Sequence, residues 1–392
     1  MDLIGYLDPV VDIIPVSGEH RRPHFAEAIH IHTPHTGIPP LEGAALAILG
    51  VSEGRKATHN PGCGEGLHLI RKYLYELFPQ SETLPIVDLG NLKIGETPED
   101  TYAALAEIFD TLRSYNIIPI IIGGSQDLIY GMYLGYEKNG PNINLLDIDR
   151  KIDLGEGPGE INHETWLSKI ILRQPSILFN YTNIGYQSYF VDPAAIELMK
   201  NMLFDVYRLG QINTDLKEAE PLIRNADMVS VDISSIRGSD APGSKLSGPH
   251  GFYGEEMCQL VRFAGMSDKV SSIGFFEYNP VYDINERTAH LIAQLIWFFV
   301  DGFLGRTDDF PRLGQKSENH MRYFVKVEGH SEELIFYRSR KTDRWWMEIP
   351  CPEHLQTKYF RHILVPCSVK DYQMATSNEL PDRYWQYYQK FM

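Results

Sequence analysis

Short runs of β-branched and aliphatic residues alternate with amphipathic stretches through most of the chain. Residues 44–49 (Ala-Ala-Leu-Ala-Ile-Leu) read as a buried strand, and Leu67–Leu77 carries apolar residues at helical spacing. Ile86–Leu89 is a short strand. Thr97-Pro98-Glu99-Asp100 combines a capping hydroxyl, a first-turn proline and acids at the positive end of the helix dipole, so a helix is expected from there to about Tyr115. The run Ile117–Ile122 predicts a fully buried strand that stops at Gly123-Gly124. Further strands are expected at Ile143–Asp147, Ile177–Asn183, Val206–Leu209, Met228–Ile233 and Val270–Phe276, with a long last helix over Ile284–Phe303. This alternation predicts three α/β/α layers around a mostly parallel sheet of about eight strands.

Near Gly305 the pattern changes. Arg322–Glu328, Glu333–Arg338 and Arg344–Ile349 alternate as an antiparallel meander, with turns at Gly329-His330-Ser331 and Lys341-Thr342-Asp343, and a polar, aromatic tail follows. The expected division is an N-terminal extension (1–43), an α/β domain (44–305) and a C-terminal β-rich extension (306–392).

Composition narrows the function classes. The formal charge of −16 argues against nonspecific binding to nucleic acid or anionic membranes. The four cysteines form no CxxC pair, which fits reduced thiols and a cytoplasmic setting. The first residues lack a basic segment ahead of their apolar ones, and the most apolar later stretch, 291–304, is too short for a membrane span and contains Asp301.

In a parallel sheet, ligands bind beyond the carboxyl ends of the strands. Polar residues gather there in four segments: Gly123-Gly124-Ser125-Gln126-Asp127, Asp147-Ile148-Asp149-Arg150-Lys151, Ser230-Val231-Asp232-Ile233-Ser234, and Glu277-Tyr278-Asn279-Pro280 with Asp283 and Thr288-Ala289. Gln126 and Asp127 are also suited to capping the helix that follows them. Together with Asn60-Pro61-Gly62…Ile70-Arg71 and the loop Asp240–Ser244, these segments resemble, in order and spacing, the arginase–agmatinase–formimidoylglutamase (ureohydrolase) family.

The resemblance implies a site for two divalent ions, usually manganese, whose bound hydroxide attacks an amidine or guanidine carbon. Carried over residue by residue, Asp147 and Asp232 keep the two bridging aspartates. Gln126 and Asp149 stand where the family has histidine ligands, and Lys151 and Ser234 stand where it has aspartates. Three aspartates against one lysine leave two negative charges, so no cofactor, or at most one Mn²⁺ or Mg²⁺ held by Asp147, Asp149 and Asp232, is expected. The Lys151 ammonium is expected between Asp147 and Asp232. His163 corresponds to the family's proton shuttle. Glu277 corresponds to the carboxylate that pairs with the substrate cation, since one carboxylate accepts two parallel N–H bonds from a planar guanidinium.

Two readings follow. One is a pseudoenzyme that binds a small guanidinium or amidinium compound through Gln126, Asp149, Lys151, Ser234 and Glu277, or binds a protein partner through the C-terminal extension. The other is an active C–N hydrolase of linear amidines with an altered, single-metal site. The family also implies a homo-oligomer.

Overall fold

The computed structural model describes residues 3–11, 23–81, 83–138, 140–155, 159–313, 318–330 and 332–392. In chain order the strands are β1 (Leu7–Asp8), β2 (His30–Ile31), β3 (Leu46–Val51), β4 (Ile86–Leu92), β5 (Ile118–Gly123), β6 (Ile143–Ile148), β7 (Leu178–Tyr186), β8 (Asp205–Arg208), β9 (Met228–Asp232) and β10 (Ser272–Phe276). Eight of them, β3 to β10, run parallel in the order β4-β3-β5-β10-β9-β6-β7-β8. The two-residue strands β1 and β2 pair with β4, β1 antiparallel and β2 parallel. The expected parallel α/β sheet is therefore present.

Period-2 alternation distributes each strand between two cores. Ile48, Ile120, Ile122, Val229, Val231 and Ile273 face one layer, formed by the helices Leu67–Glu76, Gly254–Gly265 and Arg287–Leu304. Leu49, Ile121, Leu145, Met228 and Phe276 face the other, formed by Pro98–Ser114, Leu128–Glu137 and Trp166–Ile171. The Thr97 cap forms as expected: its hydroxyl accepts the Asp100 N–H at 3.2 Å, and the Asp100 carboxylate accepts the Thr97 N–H at 2.9 Å.

The long last helix begins later than expected. Asn285 and Glu286 are left-handed, and regular helix starts at Arg287. Asp283 caps it, accepting the N–H groups of Thr288 and Ala289 at 2.9 and 3.0 Å.

The C-terminal meander, β11 (His320–Val325), β12 (Leu334–Ser339) and β13 (Trp345–Glu348), gains a fourth antiparallel strand, β14 (Leu364–Cys367). The sequence pattern hides β14 because it is four residues long and contains Pro366, which an edge strand tolerates. The expected aromatic tail folds as the helices Glu353–Tyr359, Val369–Thr376 and Asp382–Phe391, and Tyr384, Tyr387 and Phe391 pack into the extension's own core. Of the two turns, Ser331 lies outside the described residues. Among the described residues no helix is long and apolar enough to cross a membrane.

Candidate functional site

The site lies at the carboxyl ends of four contiguous strands, β5, β10, β9 and β6. Register explains its layout. Asp147 on β6 pairs with Ser230 on β9, and Asp149 and Asp232 each lie two residues further along. Side chains two residues apart share a face. The Asp-x-Asp and Ser-x-Asp patterns therefore stack their acids on one side of the sheet's rim.

β5 ends in a tight turn at Gly124, where a Cβ would meet the Glu53 carbonyl oxygen at 1.9 Å, so only glycine fits. The turn aims Gln126 inward. Its main-chain N–H donates to Glu277 Oε1 at 2.9 Å, and its side-chain Nε2 donates to Asp147 Oδ1 at 3.0 Å. Asp127 was expected to cap the following helix, and its side chain makes no capping bond. It accepts instead from the Tyr102 hydroxyl at 2.5 Å and from the Ser125 hydroxyl, and burial pushes its pKa up to about 6.

Asp147 and Asp232 are both buried, and donors of this chain reach every one of their carboxylate oxygens. The second oxygen of Asp147 accepts from the Tyr181 hydroxyl at 3.2 Å. Ser234 holds both oxygens of Asp232, through its N–H at 2.6 Å and its hydroxyl at 2.8 Å. Asp149 is different: it is equally buried, and neither of its oxygens makes a hydrogen bond of good geometry, the Lys151 main-chain N–H and the Asp232 carboxyl group being its nearest polar neighbours. Burial, then the charge of Asp153, holds its pKa well above the carboxylate range. Burial and the neighbouring aspartates raise Asp147 and Asp153 well above that range too, and burial raises Asp232.

Glu277 follows β10 and is fully buried with φ +67°, a left-handed backbone that costs a non-glycine residue about 1–3 kcal/mol. Neighbours hold it in place. Its N–H donates to the Gly124 carbonyl at 2.8 Å, and Asn60 Nδ2 donates to its carbonyl at 3.0 Å and to Oε2 at 2.9 Å. Burial, then the Asp232 charge, pushes its pKa up to about 8. His163 is buried with Nδ1 3.6 Å from Glu277 Oε1, and burial lowers its pKa to about 4, so the ring is neutral at pH 7.

Lys151 corrects the sequence expectation. Its ammonium pairs with Glu164 Oε1 at 2.5 Å, partly exposed, and not with Asp147 or Asp232. The physical reason is desolvation: an ammonium inside the rim would lose its water, whereas Glu164 offers an opposite charge at the surface. The structure thus brings Gln126, Asp147, Asp149, Asp232, Ser234, His163 and Glu277 together and leaves Lys151 outside.

It also adds residues that the motif comparison missed. Asp153 is buried, accepts the Trp166 indole N–H at 2.9 Å and restores a fourth aspartate. Its signal was visible as a third acid in Asp147-Ile148-Asp149-Arg150-Lys151-Ile152-Asp153. Arg150 stacks over Phe190 at 4.6 Å, and its positive charge partly offsets the rise of Asp149 and Asp232. Tyr181 carries no such signal, because a hydroxyl is chemically useful only where the fold places it, while Asn60 was visible as the first residue of the Asn60-Pro61-Gly62 segment though not as a partner of Glu277.

The donor set does not fit two ions of the kind the family resemblance implies. The first histidine position holds an amide whose N–H₂ is turned to Asp147, and the second aspartate position, just past the end of β9, holds Ser234. One divalent ion with oxygen ligands remains compatible, because Asp149 presents two unengaged oxygens beside Asp147 and Asp232. Outside the rim, His59, His163 and Glu164 form a second group of metal-ligating type. The expectation that no cofactor is bound therefore has no support.

A model of the arginase family matches residues 44–300. A formimidoylglutamase of Streptococcus gordonii is 24% identical over 301 residues, spanning 69% of this chain and 88% of the relative. One from Lysinibacillus sphaericus is 23% identical over 67% of this chain and 86% of its own length. Among solved structures, the formimidoylglutamase of Bacillus subtilis superposes with a TM-score of 0.65 at 18% identity, covering 74% of this chain and 96% of its own. Trypanosoma cruzi formiminoglutamase with Mn²⁺ gives 0.63 at 17% identity, covering 67% and 95%. At these identities the superpositions establish the fold.

Proposed function

Because the chain belongs to the arginase family, we propose that it is a formimidoylglutamase-like pseudoenzyme, in which hydrogen bonds and protons replace the family's di-manganese centre. One observation carries this reading. The two aspartates that match the family's bridging ligands have all their oxygens engaged by Gln126, Tyr181 and Ser234.

The ligand class follows from Glu277. A small planar amidinium or guanidinium can take both of its oxygens, and the surrounding acids favour a cation. With a pKa of about 8, Glu277 must lose its proton for this pairing, so binding releases a proton and strengthens as pH rises towards 8. Calorimetry with agmatine, arginine and formimidoylglutamate in buffers of different ionisation enthalpy tests this. Proton release that disappears in Glu277→Gln supports the reading. Binding without proton release, or equal affinity in Glu277→Ala, overturns the amidinium site. The proposal includes a homo-oligomer, to be read by light scattering, and allows a protein partner on the C-terminal extension.

The unengaged carboxylate of Asp149 favours a second reading, an active C–N hydrolase of linear amidines. Asp147, Asp149 and Asp232 would hold one Mn²⁺ or Mg²⁺, whose role is to make bound water a nucleophile near pH 7. His163, neutral and beside Glu277, is placed to accept or pass a proton. Mn²⁺-dependent hydrolysis lost in Asp149→Asn would establish this reading and remove the first.

A further inference from the structure

A second cluster reaches outward from His163, the residue that the hydrolase reading uses for proton transfer, to His59 and Glu164, which neither reading uses. We propose that His59, His163 and Glu164 form a binding site for a divalent transition metal of the zinc class, distinct from the positions of the family's two ions. None of the three stands at a family ligand position, and only His163 has a family counterpart, as a proton shuttle.

The geometry has the features of a ligand set. One ligand atom from each residue lies within 4.8 Å of the other two. His59 Nδ1 is 3.0 Å from Glu164 Oε2, and the two imidazole rings are 5.6 Å apart. Tetrahedral zinc ligands at about 2.0–2.2 Å from the ion lie roughly 3.4 Å from one another, so the cluster must tighten by about 1.4 Å at most. His59 can supply that movement, since its side chain is 60% exposed.

The outer contacts carry the proposal further. A ligating histidine usually gives its other ring nitrogen to a carboxylate, and a ligating carboxylate is usually hydrogen-bonded on its free oxygen. The second is present, and the first as a longer approach. His163 turns Nε2 towards the Thr58 hydroxyl, 3.4 Å away, and towards the His59 main-chain N–H, 3.5 Å away, while Nδ1 faces Glu277 at 3.6 Å. An ion at Nε2 would replace these two long contacts, with Nδ1 kept towards Glu277. Glu164 faces His59 with Oε2 and gives Oε1 to the Lys151 ammonium. Lys151, displaced from the rim, acts here as the group that orients a ligand. Two imidazoles with one carboxylate suit zinc better than magnesium or calcium. Three protein ligands with one exposed side leave a fourth position for water.

The test uses the full chain, freed of metal by chelation and titrated with Co²⁺, whose visible absorption is intense when it is four-coordinate. One Co²⁺ per chain is expected, displaced by Zn²⁺. His59→Ala and Glu164→Gln should each weaken binding by at least about 10–100-fold, the scale of loss when only a group supporting a ligand is removed, while Asp149→Asn leaves the spectrum unchanged. Circular dichroism checks that each variant is folded. Absence of a four-coordinate spectrum in the folded wild type overturns the proposal. So does binding that survives both His59→Ala and Glu164→Gln, or that is lost in Asp149→Asn alone, which would place the ion in the aspartate rim. Because neither amidine binding nor hydrolysis is measured, this outcome is separate from the fate of the pseudoenzyme reading.

Discussion

Two buried polar clusters sit at opposite ends of the same parallel sheet, and they solve the problem of buried charge in opposite ways. At the amino ends of the strands, Asp227 accepts the Asn144 N–H at 2.8 Å and faces Arg361 at 2.5 Å and Lys269 at 3.7 Å. Nearby, Lys390 from the C-terminal helix donates to Asn180, which itself donates to Asp205 at 2.7 Å. Burial lowers Lys269 and Lys390 to about 8, against the pull of Asp227 and Asp205 respectively. Acids and bases alternate there. At the carboxyl ends, Asp147, Asp149, Asp153, Asp232 and Glu277 are acids, and the lysine that sequence places among them stands outside. A balanced cluster holds the extension to the sheet. An unbalanced one stores free energy that a proton, a metal or a cationic ligand can release, and functional sites show this kind of imbalance.

The largest expected effect breaks the balanced cluster. Asp227→Ala strands Lys269, Arg361 and the Asn144 N–H and should cost about 3–5 kcal/mol in denaturant unfolding near pH 7. A loss below about 1 kcal/mol would show that the pairing there is incidental.

Glu277 tests the unbalanced end. Its folded pKa lies near 8 against an ordinary value of 4.5, so the folded state holds a proton that the unfolded state releases. Its contribution is complete below pH 4.5 and is lost as pH rises through 8, amounting to about 4–5 kcal/mol. Glu277→Gln should flatten that slope whatever its offset at low pH. An unchanged slope would place the titration elsewhere in the cluster.

Asp149 should give a smaller effect of opposite sign to that at Asp227. Its oxygens make no hydrogen bond of good geometry, so Asp149→Asn should leave stability unchanged or raise it by about 1–2 kcal/mol at pH 8 in metal-free buffer. Destabilisation that appears only when Mn²⁺ is present would reveal an ion held there.

The contrast also explains what the sequence could show. Strand periodicity, the Thr97 cap and the glycine turn after β5 are local properties, so the parallel sheet and the places of Gln126, Asp147, Asp232 and Glu277 were legible. Lys151 was misplaced because a motif alignment gives position along the strand end, while desolvation decides the direction of the side chain. Asp153 was overlooked because it lies two residues beyond the motif. Asp227, Lys269, Arg361 and Lys390 are spread over more than 160 positions of the chain and meet only in three dimensions. No spacing rule joins them.

Lys151 gives the smallest effect and bears most directly on the comparison. Read from the motif alone, its ammonium neutralises buried aspartates, and its removal would be as damaging as that of Asp227. In the structure its side chain is 30% exposed and its partner Glu164 26% exposed. Water and salt screen such a pair, which contributes about 0–1 kcal/mol. Lys151→Ala should therefore unfold within about 1 kcal/mol of the wild type, and the difference should shrink in high salt. A loss of several kcal/mol insensitive to salt would mean that the ammonium enters the aspartate rim in solution. The two ends of the sheet would then follow the same rule of paired buried charge, and the imbalance on which the functional reading rests would vanish.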